Sequence, residues 1–210
     1  MARTFSNSII LPALAASAMF AVLPLSSAHA QDAQRVRIRG TIESLSGDTL
    51  KVKTREGAEA AITLKSGWKV GGITGASVND IKPGDFVGVG SVPNGNGPDD
   101  AVEVLIFPAA MKGTGEGNRP WDARPNSSMT NATVSNAVKQ VKGHTITLTY
   151  QGHEKTIDIP EGTPIVTLAP ATKDDVKPGA GVIVNAEKAS DGSLSSAQLS
   201  VGLNGIIPPM

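Results

Sequence analysis

The stretch NDIKPGDFVGVG, residues 79–90, returns ninety-five residues later as DDVKPGAGVIVN, residues 174–185. A chain that writes one turn-and-strand phrase twice is constrained to build two versions of one unit, and a catalytic loop is rarely duplicated in this way. At the same spacing Gly57 matches Gly152, Gly67 matches Gly162 and Asp80 matches Asp175. Further upstream Gly47 matches Gly143 and Leu50 matches Ile146, one residue further apart. The length difference falls in a hairpin. Leu50, Val52, Ala60, Ile62 and Leu64 share a face if Arg55-Glu56-Gly57 is a three-residue loop with a left-handed glycine. Ile146 and Leu148 meet Ile157 and Ile159 only across a two-residue Gln151-Gly152 turn.

Strict alternation over residues 35–42 reads as a strand with Val36, Ile38 and Ile42 inward and Arg35, Arg37, Arg39 and Thr41 outward. Its expected counterparts in the second copy are Ala132, Val134 and Val138. Each copy continues with an extended piece, 68–73 or 164–168, then a turn and two closing strands. Pro83-Gly84 and Pro178-Gly179 suit the central positions of type II turns, with Asp80 and Asp175 placed to cap the turn through backbone N–H groups. Asp85 is replaced by Ala180 in the second copy, so its carboxylate carries no shared chemistry. Five or six short strands in about seventy residues bury their edges by closing on themselves. The expected fold is all-β: two tandem small OB-like β-barrels after a cleaved signal peptide. The expected boundaries are 1–30 signal peptide, 31–107 first barrel, 108–128 Gly/Pro-rich linker and 129–210 second barrel.

The leader carries Arg3, an apolar run over residues 9–25 and a small-x-small end at Ala28-His29-Ala30, which predicts cleavage after Ala30 and a periplasmic or secreted product. The apolar run is too short, and too interrupted by Pro12 and Pro24, for a retained membrane helix. No later segment approaches a span. With no cysteine, the chain has neither disulfides nor a thioether-linked lipid. Removing Arg3 with the leader from 19 basic and 19 acidic residues leaves a net charge of about −1. Overall charge therefore names no partner, and export argues against nucleic acid.

The duplicated KPGDxVxV phrase and the leader together resemble an exported bacterial domain-of-unknown-function family of small OB-like barrels, often in tandem. Some relatives similar across FPAAMKGTGEGNRPWD carry a metal-transporter permease label, a role that needs spanning helices.

Metal binding and catalysis find little support in the residues. His144 and His153 lie near opposite ends of one hairpin arm, roughly 20 Å apart at about 3.4 Å per residue. Met111, Met129 and Met210 are irregularly spaced. No nucleophile elbow, zinc helix or phosphate loop occurs, and the acid pairs Asp99-Asp100 and Asp174-Asp175 read as solvated loop residues. No catalytic residue, metal site or cofactor is expected.

Two features remain as candidate ligand contacts. Trp121, flanked by Arg119, Asp122 and Arg124 in the linker, is expected to pin the linker to a barrel, the alternative being a ligand contact. Arg35, Arg37, Arg39, Lys51 and Lys53 form a basic stripe; with Leu45-Ser46-Gly47 as a three-residue first hairpin loop, Arg39 is expected opposite Lys53 and Arg37 opposite Arg55. The matching positions in the second copy, Asn131, Thr133, Ser135, Thr145, Thr147 and Thr149, are neutral. Directly opposed cations destabilise a sheet unless solvated or met by an anion. The expectation is a non-enzymatic binding or adaptor protein that meets an envelope protein or anionic polymer through the first barrel. The alternative is an accessory of envelope metal handling.

Overall fold

Glycine and proline set the turns around which the strands form. The computed structural model describes Met1 and residues 34–95, 97–139 and 143–209; the leader and its cleavage site lie outside the described residues. The strands are β1 (Gln34–Ser46), β2 (Thr49–Thr54), β3 (Glu59–Gly75), β4 (Phe86–Val92), β5 (Asp99–Ile106), β6 (Gly117–Pro120), β7 (Ser128–Lys139), β8 (His144–Tyr150), β9 (His153–Ile159), β10 (Ile165–Pro170), β11 (Gly181–Lys188) and β12 (Leu194–Gly202).

The hairpin loops form as the glycine positions demand. Thr54 N–H donates to Ala58 O at 2.7 Å around Arg55-Glu56-Gly57, with Gly57 at φ 88°. Tyr150 pairs with His153 across Gln151-Gly152, both at positive φ. The KPG phrases form turns in which Asp85 N–H donates to Lys82 O and Ala180 N–H to Lys177 O, each at 3.1 Å, with Gly84 at φ 94° and Gly179 at φ 87°. Asp80 and Asp175 close capping boxes, accepting from Ser77 N–H and Thr172 N–H at 2.8 Å.

The fold is all-β, and its strands close into rings. β1 pairs with β2, β2 with β3, β3 in parallel with β12, β12 with β11, and β11 with β1. This is the OB order, with its third and fifth strands parallel. A second ring of the same order joins β7, β8, β9, β5 and β4. Its closing contact is short, Asp99 opposite Ile157 and Asp100 opposite Asp158. There Lys155 Nζ reaches Asp99 at 2.8 Å and the hydroxyls of Ser91 and Ser128 at 3.2 Å.

Segments 31–107 and 129–210 therefore do not each close a ring. Each supplies three strands to one ring and its last hairpin to the other. The crossing lies at the far end of β3, a strand of 17 residues. Beyond its pairing with β2, this strand runs on to pair antiparallel with β10, Ile73 opposite Leu168, and carries the chain away from its own ring. The turn at Pro83-Gly84 then delivers β4 to β7: Gly84 N–H donates to Val134 O at 2.8 Å, as Gly179 N–H donates to Ile42 O at 2.9 Å in the first ring.

Two apolar cores fill the rings. Ile42, Leu50, Val52, Ile62, Leu64, Val182, Val184 and Val201 pack in the first, and Val87, Val89, Val104, Val134, Ile146, Leu148 and Ile157 in the second. Each such side chain stabilises by about 1.5–3 kcal/mol. Ile73, Leu105, Val166 and Ile183 form a third cluster at the β3–β10 crossing.

One strand alignment needs correction. β1 and β7 each carry a bulge, between Ile42 and Ser44 and between Val134 and Asn136. Val134 thus corresponds to Ile42 rather than to Ile38. Val138, expected inward, is 47% exposed. The four-residue difference is taken up in a longer β7–β8 arm, which alternation alone does not register. No helix among the described residues is long and apolar enough to cross a membrane.

Candidate functional site

The outward residues of β1 diverge in their fates. Arg35 is exposed at the strand start, whereas Arg37 and Arg39 converge on one carboxylate. Arg37 Nη1 reaches Asp122 Oδ1 at 2.8 Å, and Arg39 Nη2 reaches the same oxygen at 2.7 Å. Asp122 lies at the tip of the β6–β7 hairpin, whose strands pair from Gly117 opposite Asn131 to Pro120 opposite Ser128. The linker thus contains a strand that its glycines and prolines concealed.

Trp121 fastens the same tip. Its indole N–H donates to Glu103 Oε1 at 2.7 Å, and the Arg37 guanidinium lies over its ring at 4.0 Å. Glu103, on β5, is only 2% exposed. Burial pushes its carboxyl up, against the Trp121 hydrogen bond and the charges of Arg39, Arg55 and Arg37. Burial also raises Asp122, but the hydrogen bond from Arg39 and the charges of Arg37 and Arg39 outweigh it, and the net shift is downward. Burial lowers Arg37 and Arg55. Arg55 donates to the carbonyl oxygens of Pro208 and, at 3.1 Å, Pro209. Gly90, across from Glu103 on β4, makes the space: a Cβ there would lie 2.7 Å from Glu103 Cγ.

The facing pattern of the basic stripe is also corrected. The first turn has two residues, Gly47-Asp48, followed by the bulge, in place of a three-residue loop. Arg39 therefore lies opposite Arg55, whose N–H donates to Arg39 O at 3.0 Å, and Lys53 lies opposite Thr41. Cation still meets cation at Arg39 and Arg55, with Glu103 and Asp122 as nearby anions. Lys51 and Lys53 are exposed and, among the described residues, make no ion pair.

Beside this junction the outer surface of the first ring is open. A polar cleft of about 540 Å³ runs between β1, β11 and β12, lined by Arg35, Arg37, Asn185, Glu187 and Gln198, with Asp122 of the β6–β7 tip at its edge. No family model, curated protein or solved structure matches the chain.

Sequence reasoning singled out all the stripe residues and Trp121, and the structure brings Arg37, Arg39 and Trp121 together. Arg35, Lys51 and Lys53 remain apart from that junction. It missed Glu103, although one acid inside the apolar run AVEVLIF was a readable signal. Asn185 and Gln198 gave no signal, because polar residues on an outer sheet face are ordinary. Among the described residues, no group of three or more His, Asp or Glu is arranged to hold a metal ion. His144 sits opposite Ile159 and His153 opposite Tyr150, at the two ends of the β8–β9 hairpin.

Proposed function

We propose that the chain is a non-enzymatic exported protein that acts in the bacterial cell envelope as a binding or adaptor module, meeting an anionic partner through the first ring. The supporting observation is the division of the basic stripe. Asp122 takes up Arg37 and Arg39, while Arg35, which lines an open polar cleft, and Lys51 and Lys53 on the next strand stay exposed without an ion pair among the described residues. The leader and the resemblance to exported bacterial domains support the location. Each exposed ion contact contributes less than about 1 kcal/mol and is weakened by salt, so several must act together.

The test is retention of the mature chain, beginning at Gln31, on immobilised heparin at low ionic strength. Retention should fall steeply with salt and disappear in an Arg35→Gln, Lys51→Gln, Lys53→Gln variant that melts like the parent. Equal retention of parent and variant would remove the reading.

A further inference from the structure

β6 shows what the chain itself does with an open strand edge. Opposite its pairing with β4, the start of β7 has a second edge, and β6 fills it over Ser128–Asn131. The bulges place Ile42 and Val134 at equivalent points of the two rings, so the corresponding stretch of the first ring is 36–39 in β1.

Backbone alternation tells which groups face that edge. Ile42 N–H donates to Ala180 O and Ile42 O accepts from Gly179 N–H, so the even-numbered residues of β1 point toward β11. Arg39 O accepts from Arg55 N–H, so the odd-numbered residues point the other way, toward β2. β2 and its loop reach no further than Arg39. The N–H and C=O of Arg35 and Arg37 therefore face outward with no strand beside them among the described residues.

We infer that this edge of β1 is a docking site for an extended acidic segment of a partner protein, which adds antiparallel beside Arg35 and Arg37 as β6 adds beside β7. Strand addition satisfies the edge N–H and C=O groups and reads alternate side chains. Charge selects the occupant. A second copy pairing symmetrically about Val36 would set Arg35 against the other copy's Arg37, cation on cation, which is unfavourable. An acidic segment instead meets Arg35, whose side chain is exposed at the start of the strand. A polysaccharide offers charge but no peptide ladder. The other role for these arginines is to blunt the edge against aggregation, and the two roles differ in what the edge amides do when an acidic peptide is present. The inference rests on the anionic-partner reading and narrows it to a polypeptide.

The test uses the mature chain and an acetylated, amidated peptide of about eight residues alternating glutamate and threonine. Weak, salt-sensitive binding is expected, with slowed hydrogen exchange at the Arg35 and Arg37 amides. The same peptide with alternate amides N-methylated keeps its charge and should not protect them, and a lysine–threonine peptide should not bind. Arg35→Gln should weaken binding a few-fold. Arg35→Pro loses the same charge but also removes the outward N–H, while leaving the bonds to β11, so it should abolish peptide binding without loss of the fold. Equal binding by the Gln and Pro variants, equal binding of the N-methylated peptide, or unchanged exchange at Arg35 and Arg37 would overturn strand addition. Heparin retention separates the two readings: retained protein with unprotected amides sinks only the docking site, and protected amides without heparin retention sink only the general polyanion reading.

Discussion

The outer face of β4, β5 and β7 in the second ring and that of β11, β12 and β1 in the first share one strand order, yet one is roofed by the chain and the other is open. On the roofed side, β6 pairs with β7 and Trp121 covers Glu103, with Gly90 as the bare floor beneath. On the open side the corresponding strands carry Asn185, Gln198 and Arg37 around a polar cleft. The difference teaches that equal scaffolds do not imply equal surfaces. One ring has its spare edge filled by β6, and the corresponding edge of the other has no strand beside it among the described residues.

Removing the roof is the strongest way to break this contrast. Trp121→Ala should destabilise the chain by about 3–5 kcal/mol, because a large side chain is lost and the buried Glu103 loses its donor. Gln198→Ala, on the open face, should stay within about 0.5 kcal/mol. Urea denaturation of both variants checks the asymmetry, and similar losses would show that the faces are not distinct. A smaller effect is expected at the floor. Gly90→Asn should cost about 1–3 kcal/mol by overpacking against Glu103, while Asn185→Gly should cost less than about 1 kcal/mol. Loss of the Glu103–Trp121 hydrogen bond in the first variant should appear as a change in tryptophan emission.

Where the rings are alike, substitutions should act alike. Gly84→Val and Gly179→Val both force a β-branched residue to positive φ and should each cost about 1–2 kcal/mol. Because Gly84 binds Val134 and Gly179 binds Ile42, each variant should loosen the ring fed by the opposite segment. Hydrogen exchange in β7 and β1 reads this directly, and loosening confined to the variant's own sequence repeat would contradict the exchanged hairpins.

The smallest effect sharpens the electrostatics of the junction. Asp122 has a depressed folded pKa, so its contribution is present above the ordinary carboxylate value and is lost as pH falls through the folded value. Glu103 is raised, so stability declines as pH rises from the ordinary value through its folded one. Asp122→Asn should therefore lower the stability slightly at neutral pH, by less than about 1 kcal/mol for so exposed a group, and have no effect in strong acid. Glu103→Gln should flatten the decline that sets in as pH rises above the ordinary carboxylate value. A pH series of thermal melts on the three proteins distinguishes the two slopes.

What the sequence by itself determined is local. Gly57 and Gly152 specify two hairpin loops, Pro83-Gly84 and Pro178-Gly179 specify two turns, Asp80 and Asp175 their caps, and alternating Val, Ile and Leu the buried faces. Each follows from backbone sterics or from the two-residue period of a strand, which act over a few neighbouring residues. Bulges broke that reading where they occurred, because one extra residue shifts every later pairing while leaving the composition unchanged; hence the displaced partners of Lys53 and the exposure of Val138. The tertiary structure alone decided which hairpin closes which ring. The parallel contacts of β12 with β3 and of β5 with β9 start at the same register, Leu194 opposite Ile62 and Asp99 opposite Ile157. Either hairpin satisfies the same alternation in either ring, so local pattern cannot choose between them. Only the long-range crossing of β3 and β10 shows which arrangement is taken, and the same tertiary placement sets Trp121 over Glu103 and leaves the edge at Arg35 and Arg37 without a strand beside it among the described residues.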